Sequence, residues 1–119
     1  MGRRSRRRTS QGDRPAAATT DYRDADGNVL TLRDELSAGT LRVLRDLDAK
    51  PAASAEDRWQ RRLELLFERL AVRWVIADLP LEGQKELLGR YRLASSSERQ
   101  QVRATLARHL AAHHPEIEV

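Results

Sequence analysis

From Asp21 onward polar turns separate apolar repeats, and the spacing of those repeats divides the chain into elements. Residues 21–33 predict a β-hairpin. Asp26-Gly27 supplies the positive φ angles of a tight turn, and Val29-Leu30-Thr31-Leu32 is a strand-favouring run. Four helices follow. Ser37 is the N-cap of a helix over 38–48, with Leu36 and Leu41 spaced as a hydrophobic staple across its start. Lys50-Pro51 breaks the chain, and Ser54 with Asp57 opens a long helix over about 55–77. Asp78 caps a third helix over 80–92, with Pro80 in its first turn. Ser95 and Glu98 form a capping box for a last helix over 96–114, stopped by Pro115. The pattern therefore predicts a mainly α fold, a small four-helix domain spanning 21–119 with the hairpin packed on it. A two-stranded hairpin is marginal in water by itself.

The long helix carries the most information. At 100° per residue, Trp59, Leu63, Leu66, Phe67, Leu70 and Trp74 share one arc of roughly 100°, the width of a core-facing stripe. Leu65, Val72 and Ile76 fall on a second arc, flanked by Arg69 and Arg73. A helix with two apolar faces is either sandwiched centrally or offers one face to a partner. The pattern leaves open whether the second strip is core or interface.

Charge changes the picture only at one end. The 119 residues carry a formal net charge of +4. Residues 1–14 hold six arginines (Arg3, Arg4, Arg6, Arg7, Arg8 and Arg14) against Asp13, and the remaining 105 residues hold 16 basic and 17 acidic side chains. The predicted domain is thus nearly neutral. Residues 1–20, with no large apolar side chain after Met1, read as a disordered arginine-rich tail and linker. Such an arm binds phosphate backbones through counterion release without reading bases, or serves as a solvated leader. With no cysteine, disulfides and thiolate metal sites are excluded. No apolar run approaches 18 residues, so no membrane-spanning helix is expected and the reading is of a cytoplasmic protein.

Candidate chemistry is sparse. Asp24, Asp26, Asn28 and Glu35 have the spacing of a calcium-binding loop, but Val29 stands where that loop needs glycine and no helix enters it. His109 and His113 share a helix face at zinc-binding spacing. No glutamate follows His109 and no third ligand is evident, so the histidines are read as partners of the helix dipole. Ser95-Ser96-Ser97 is capping sequence rather than a nucleophile, and Glu64 with Glu68 belongs to a charge network with neighbouring arginines. No catalytic residue, metal or cofactor is assigned, and a non-enzymatic protein is expected.

Two short stretches, Glu35-Leu36-Ser37-Ala38-Gly39-Thr40-Leu41 and Trp74-Val75-Ile76-Ala77-Asp78-Leu79-Pro80-Leu81, complete the reading. Over about residues 22–90 the chain resembles the tail assembly chaperones of phages and prophages. In them a hairpin is followed by a helix start of the first kind, and a helix ending in Trp by a Pro-Leu start of the C-terminal helices. The resemblance implies a helical protein without catalysis that shields a scaffold or tape-measure protein until the tail tube forms. The functional expectation is a non-enzymatic assembly or adaptor protein working by protein–protein contact, with itself or a phage-type structural protein. Leu65, Arg69, Val72, Arg73 and Ile76 are the candidate partner-binding residues. The alternative is non-specific nucleic-acid binding through Arg3, Arg4, Arg6, Arg7 and Arg8.

Overall fold

The computed structural model describes residues 18–51 and 54–117; the predicted arginine arm lies outside them. The elements in chain order are β1 (Thr19–Arg23), β2 (Val29–Arg33), α1 (Ala38–Ala49), α2 (Ala55–Leu70), β3 (Ala71–Ile76), β4 (Leu79–Glu82), α3 (Gln84–Arg92) and α4 (Ser96–His113). The strands form one antiparallel sheet in the order β1-β2-β3-β4. This corrects the four-helix expectation. The molecule is a two-layer α+β domain in which the first hairpin is half of a sheet.

The correction is local to residues 71–82. The long helix ends at Leu70, and the chain enters β3 with no intervening loop. Val72, Trp74, Val75 and Ile76 are β-branched or aromatic and fit a pleated surface better than a helix interior. β3 pairs β2 with Leu30 opposite Trp74 and Leu32 opposite Ala71. The register shifts between Thr31 and Leu32, so β3 carries one extra residue, a β-bulge. The bulge lets Ala71 and Trp74, three positions apart, both face the core, which is also a helical spacing. A helical wheel therefore places Trp74 correctly for the wrong reason.

Asp78 and Pro80 do not begin a helix. Ala77 and Asp78, with φ of 52° and 67°, form the two-residue turn joining β3 to β4. Pro80 lies on the edge strand, where its missing N–H interrupts no central ladder and discourages pairing with another chain. The third helix starts instead at Gln84, after Gly83.

The first hairpin forms as expected, extended to 19–33, so Thr19 and Thr20 are strand rather than linker. Its turn has three residues: Asp24 N–H donates to Asn28 C=O at 2.9 Å, and Gly27 N–H to Asp24 C=O at 3.1 Å, with Gly27 at φ 84°. The helix starts at Ser37, Ser54 and Ser95 also stand. Each serine accepts a backbone N–H three residues on, and Ser95 with Glu98 makes the full reciprocal box.

Helices cover one sheet face. Leu30, Leu32, Ala71 and Trp74 from the sheet meet Leu44 of α1, Leu63, Leu66, Phe67 and Leu70 of α2, Leu87 and Tyr91 of α3, and Val102, Leu106 and Leu110 of α4. At the centre the Phe67 ring stacks on Tyr91 and meets Trp74 edge-on, with centroids 4.9 and 5.6 Å apart. The other sheet face carries exposed Asp21, Arg23, Arg33, Arg73 and Glu82. Among the described residues no helix is long and apolar enough to cross a membrane.

Candidate functional site

A cleft of about 830 Å³ opens between α1 and the first half of α2 and is bordered at one side by the segment after α4. Its floor is apolar: Leu41 and Leu44 of α1, Ala55 and Trp59 of α2, and Ile117. Its rim is charged: Arg45, Asp48, Arg58, Arg62 and Glu116. Both helices place arginines on the turns that face the cleft, Arg45 on α1 and Arg58 and Arg62 on α2. Arg62 is ion-paired with Asp48. Arg45 and Arg58 are exposed and have no ion-pair partner among the described residues. Trp59 is half-buried, with the Arg103 guanidinium over its ring at 4.4 Å. The second tryptophan, Trp74, is buried in the core.

A polar cluster occupies a different place, where the end of α4 meets the ends of β1 and β2. His109 is fully buried. Its Nε2 lies 2.7 Å from the Arg33 carbonyl, which can only accept, so this nitrogen carries the proton. Its Nδ1, 2.8 Å from the Tyr22 hydroxyl, is then the acceptor and Tyr22 the donor. Burial pushes the His109 pKa below the usual imidazole value, against the opposing pull of the Arg33 carbonyl. Burial likewise raises the Tyr22 hydroxyl. Asp34, just past β2, accepts from Thr20 Oγ1 at 2.6 Å and lies 3.6 Å from His113 Nε2. His114 Nε2 lies 3.1 Å from the Asp34 carbonyl. One donor atom from each of Asp34, His109 and His113 lies within 4.8 Å of the other two.

The five residues expected to bind a partner do not share a helix face, because α2 stops before Val72. Leu65 and Ile76 are partly buried and pack against the core. Arg69 is half-buried and reaches Thr40 at the start of α1, with Nη1 3.4 Å from Oγ1. Val72 is half-buried beside the bulge. Arg73 stands on the exposed sheet face, 3.5 Å from Glu82. The calcium-like spacing resolves into turn chemistry: Asp24 Oδ1 accepts the N–H groups of Asp26 and Asn28 at 2.8 and 3.0 Å, fixing the first hairpin. Asn28 Oδ1 accepts from Ala77 N–H at 3.0 Å, tying the two turns together. Glu64 pairs with Arg92 of α3 at 2.8 Å.

Sequence reasoning missed the cleft because three separate segments build it. The signal that was present is Trp59, a large aromatic at the start of α2 beside Arg58 and Arg62.

The class of protein is thus set by architecture, a two-layer α+β domain with an open-faced four-stranded antiparallel sheet. No family model, no curated protein and no solved structure matches the chain.

Proposed function

We propose that the protein is a non-enzymatic adaptor that works by protein–protein contact, with the α1–α2 cleft as its docking site. The carrying observation is the pairing of an apolar floor, Leu41, Leu44, Trp59 and Ile117, with two exposed arginines that have no ion-pair partner among the described residues. Grooves of this kind take the apolar face of an amphipathic helix. Arg45 and Arg58 select one whose flanking residues are acidic. Aspartate or glutamate on the partner supplies the counter-charge to these arginines, while apolar anchors displace water from the floor.

The test is a titration with three model helices sharing the same leucine face, one flanked by glutamates, one by lysines and one scrambled. The glutamate helix binds, binds more weakly as salt is raised, and loses affinity with Arg45→Glu/Arg58→Glu. Equal binding of the lysine helix, or none of the glutamate helix, contradicts the reading.

The finer proposal keeps the resemblance: an adaptor like the tail assembly chaperones, holding a phage structural protein until it is assembled. Its support is the motif at 35–41, which does start a helix; residues 74–81 form a β-hairpin instead of the helix end and helix start that the resemblance implies. Tail-tube and tape-measure genes beside its own would favour it, and their absence would remove it. Nucleic-acid binding is the second reading, resting on the concentration of excess charge in residues 1–14. It requires that deleting those residues abolish a steeply salt-dependent affinity.

A further inference from the structure

A metal site was not legible in the sequence because a helical histidine pair lacked a third ligand. The fold supplies one. Asp34 follows β2, and the antiparallel pairing of β1 with β2 brings it against the last two turns of α4. His109 and His113 stand one turn apart there, with ring centroids 4.5 Å apart.

We infer that Asp34, His109 and His113 form a binding site for a divalent cation of the zinc class. The donor set decides the class of ion. Two imidazoles and one carboxylate suit zinc or cobalt, whereas calcium and magnesium require a shell built largely of oxygen. The dimensions agree. Bonds of about 2.0–2.1 Å in a tetrahedral site place ligand atoms roughly 3.3 Å apart. The His113–Asp34 separation of 3.6 Å is already close to that edge, and with the whole set within 4.8 Å the site requires side-chain adjustments of at most about an ångström or two.

The surroundings of His109 give a second, independent argument. Metal-bound histidines are held by a partner on the non-ligating nitrogen. His109 has one on each side, the Tyr22 hydroxyl at Nδ1 and the Arg33 carbonyl at Nε2. Ligation through Nδ1 leaves Nε2–H on Arg33 and turns only the Tyr22 hydroxyl away. The Nε2–H bond to the Arg33 carbonyl thus keeps the ring oriented while Nδ1 faces the ion. Thr20 orients Asp34 in the same manner. The side chains of His113 and Asp34 are 31% and 20% exposed, so an ion reaches the site from solvent and a fourth position stays open to water. Bound there, the ion pins the end of α4 to the first hairpin.

The experiment uses the full chain, stripped with chelator and titrated with zinc by calorimetry and with cobalt by visible absorption. One equivalent binds, cobalt shows the absorption of a tetrahedral nitrogen–oxygen site, and zinc raises the melting temperature. His113→Ala, at an exposed position, keeps its far-UV circular dichroism and weakens zinc about tenfold or more. Asp34→Asn does the same, and His114→Gln binds as the wild type does. Absence of stoichiometric binding overturns the inference. So does unchanged affinity in folded His113→Ala, which would place the ion on other groups. Should Asp34→Asn fail to fold, His113→Ala alone decides.

Discussion

The cleft and the histidine cluster differ in how their polar groups are partnered. At the end of α4, the buried His109 has a partner on each ring nitrogen and Asp34 is held by Thr20. Between α1 and α2, Arg45 and Arg58 border an apolar floor without ion-pair partners among the described residues. A satisfied buried network fixes the fold, because removing a member strands the others away from water. An exposed rim without ion pairs contributes little to stability, and under the proposed function its charge is left for a partner. The two regions therefore separate what holds the domain together from what faces outward.

Mutations should reproduce that separation. The largest effect is expected from His109→Ala, which empties a fully buried site and strands the Tyr22 hydroxyl and the Arg33 carbonyl. A loss of about 2–5 kcal/mol in urea unfolding is expected, and a loss under 1 kcal/mol would mean the clasp is not structural. Tyr22→Phe removes one hydrogen bond and keeps the ring, for about 1 kcal/mol. In the cleft, Trp59→Ala costs about 1 kcal/mol through its contact with Arg103, yet abolishes binding of the acidic helix.

The start of α4 offers a finer contrast through pH. The hydrogen bond from Arg90 holds the Glu98 carboxyl below its ordinary value of 4.5, helped by the Ser95 backbone N–H. A lowered folded pKa stabilises above the unfolded value and ceases to do so as pH falls through the folded one. Glu98→Gln keeps the capping box but loses the Arg90 ion pair, and should thus lower stability by about 0.2–1 kcal/mol at pH 7. The gap from wild type should close below pH 4.5, which parallel urea melts at pH 7 and pH 3 would measure. The smallest effect is expected from Arg45→Glu/Arg58→Glu, within about 0.5 kcal/mol of wild type. A large loss there would erase the distinction between the regions.

How much of this was legible follows from the range of the forces involved. The three serine caps and the first hairpin depend on neighbours a few residues away, and the sequence displays them. β3 and β4 were hidden for two reasons. The bulge gives Ala71 and Trp74 a spacing that a helix also has, and the second turn lacks the glycine that marks such turns. Ala77 and Asp78 take positive φ there, with Asn28 accepting the Ala77 N–H from the other hairpin. The run Val72, Trp74, Val75, Ile76 was the available strand signal, and helical periodicity outweighed it. The cleft and the Asp34–His109–His113 cluster join residues far apart in the chain, so periodicity could not show either.

The central claim is that the α1–α2 cleft takes an acidic amphipathic helix. The most direct measurement is the two-dimensional amide spectrum of the labelled protein, indole N–H signals included, as the glutamate-flanked helix is added. The account predicts shifts concentrated on Leu41, Arg45, Arg58, Ile117 and the Trp59 indole, with the Trp74 indole and the Arg73–Glu82 sheet face unmoved. Shifts centred on the sheet face, or no shifts at all, would contradict it.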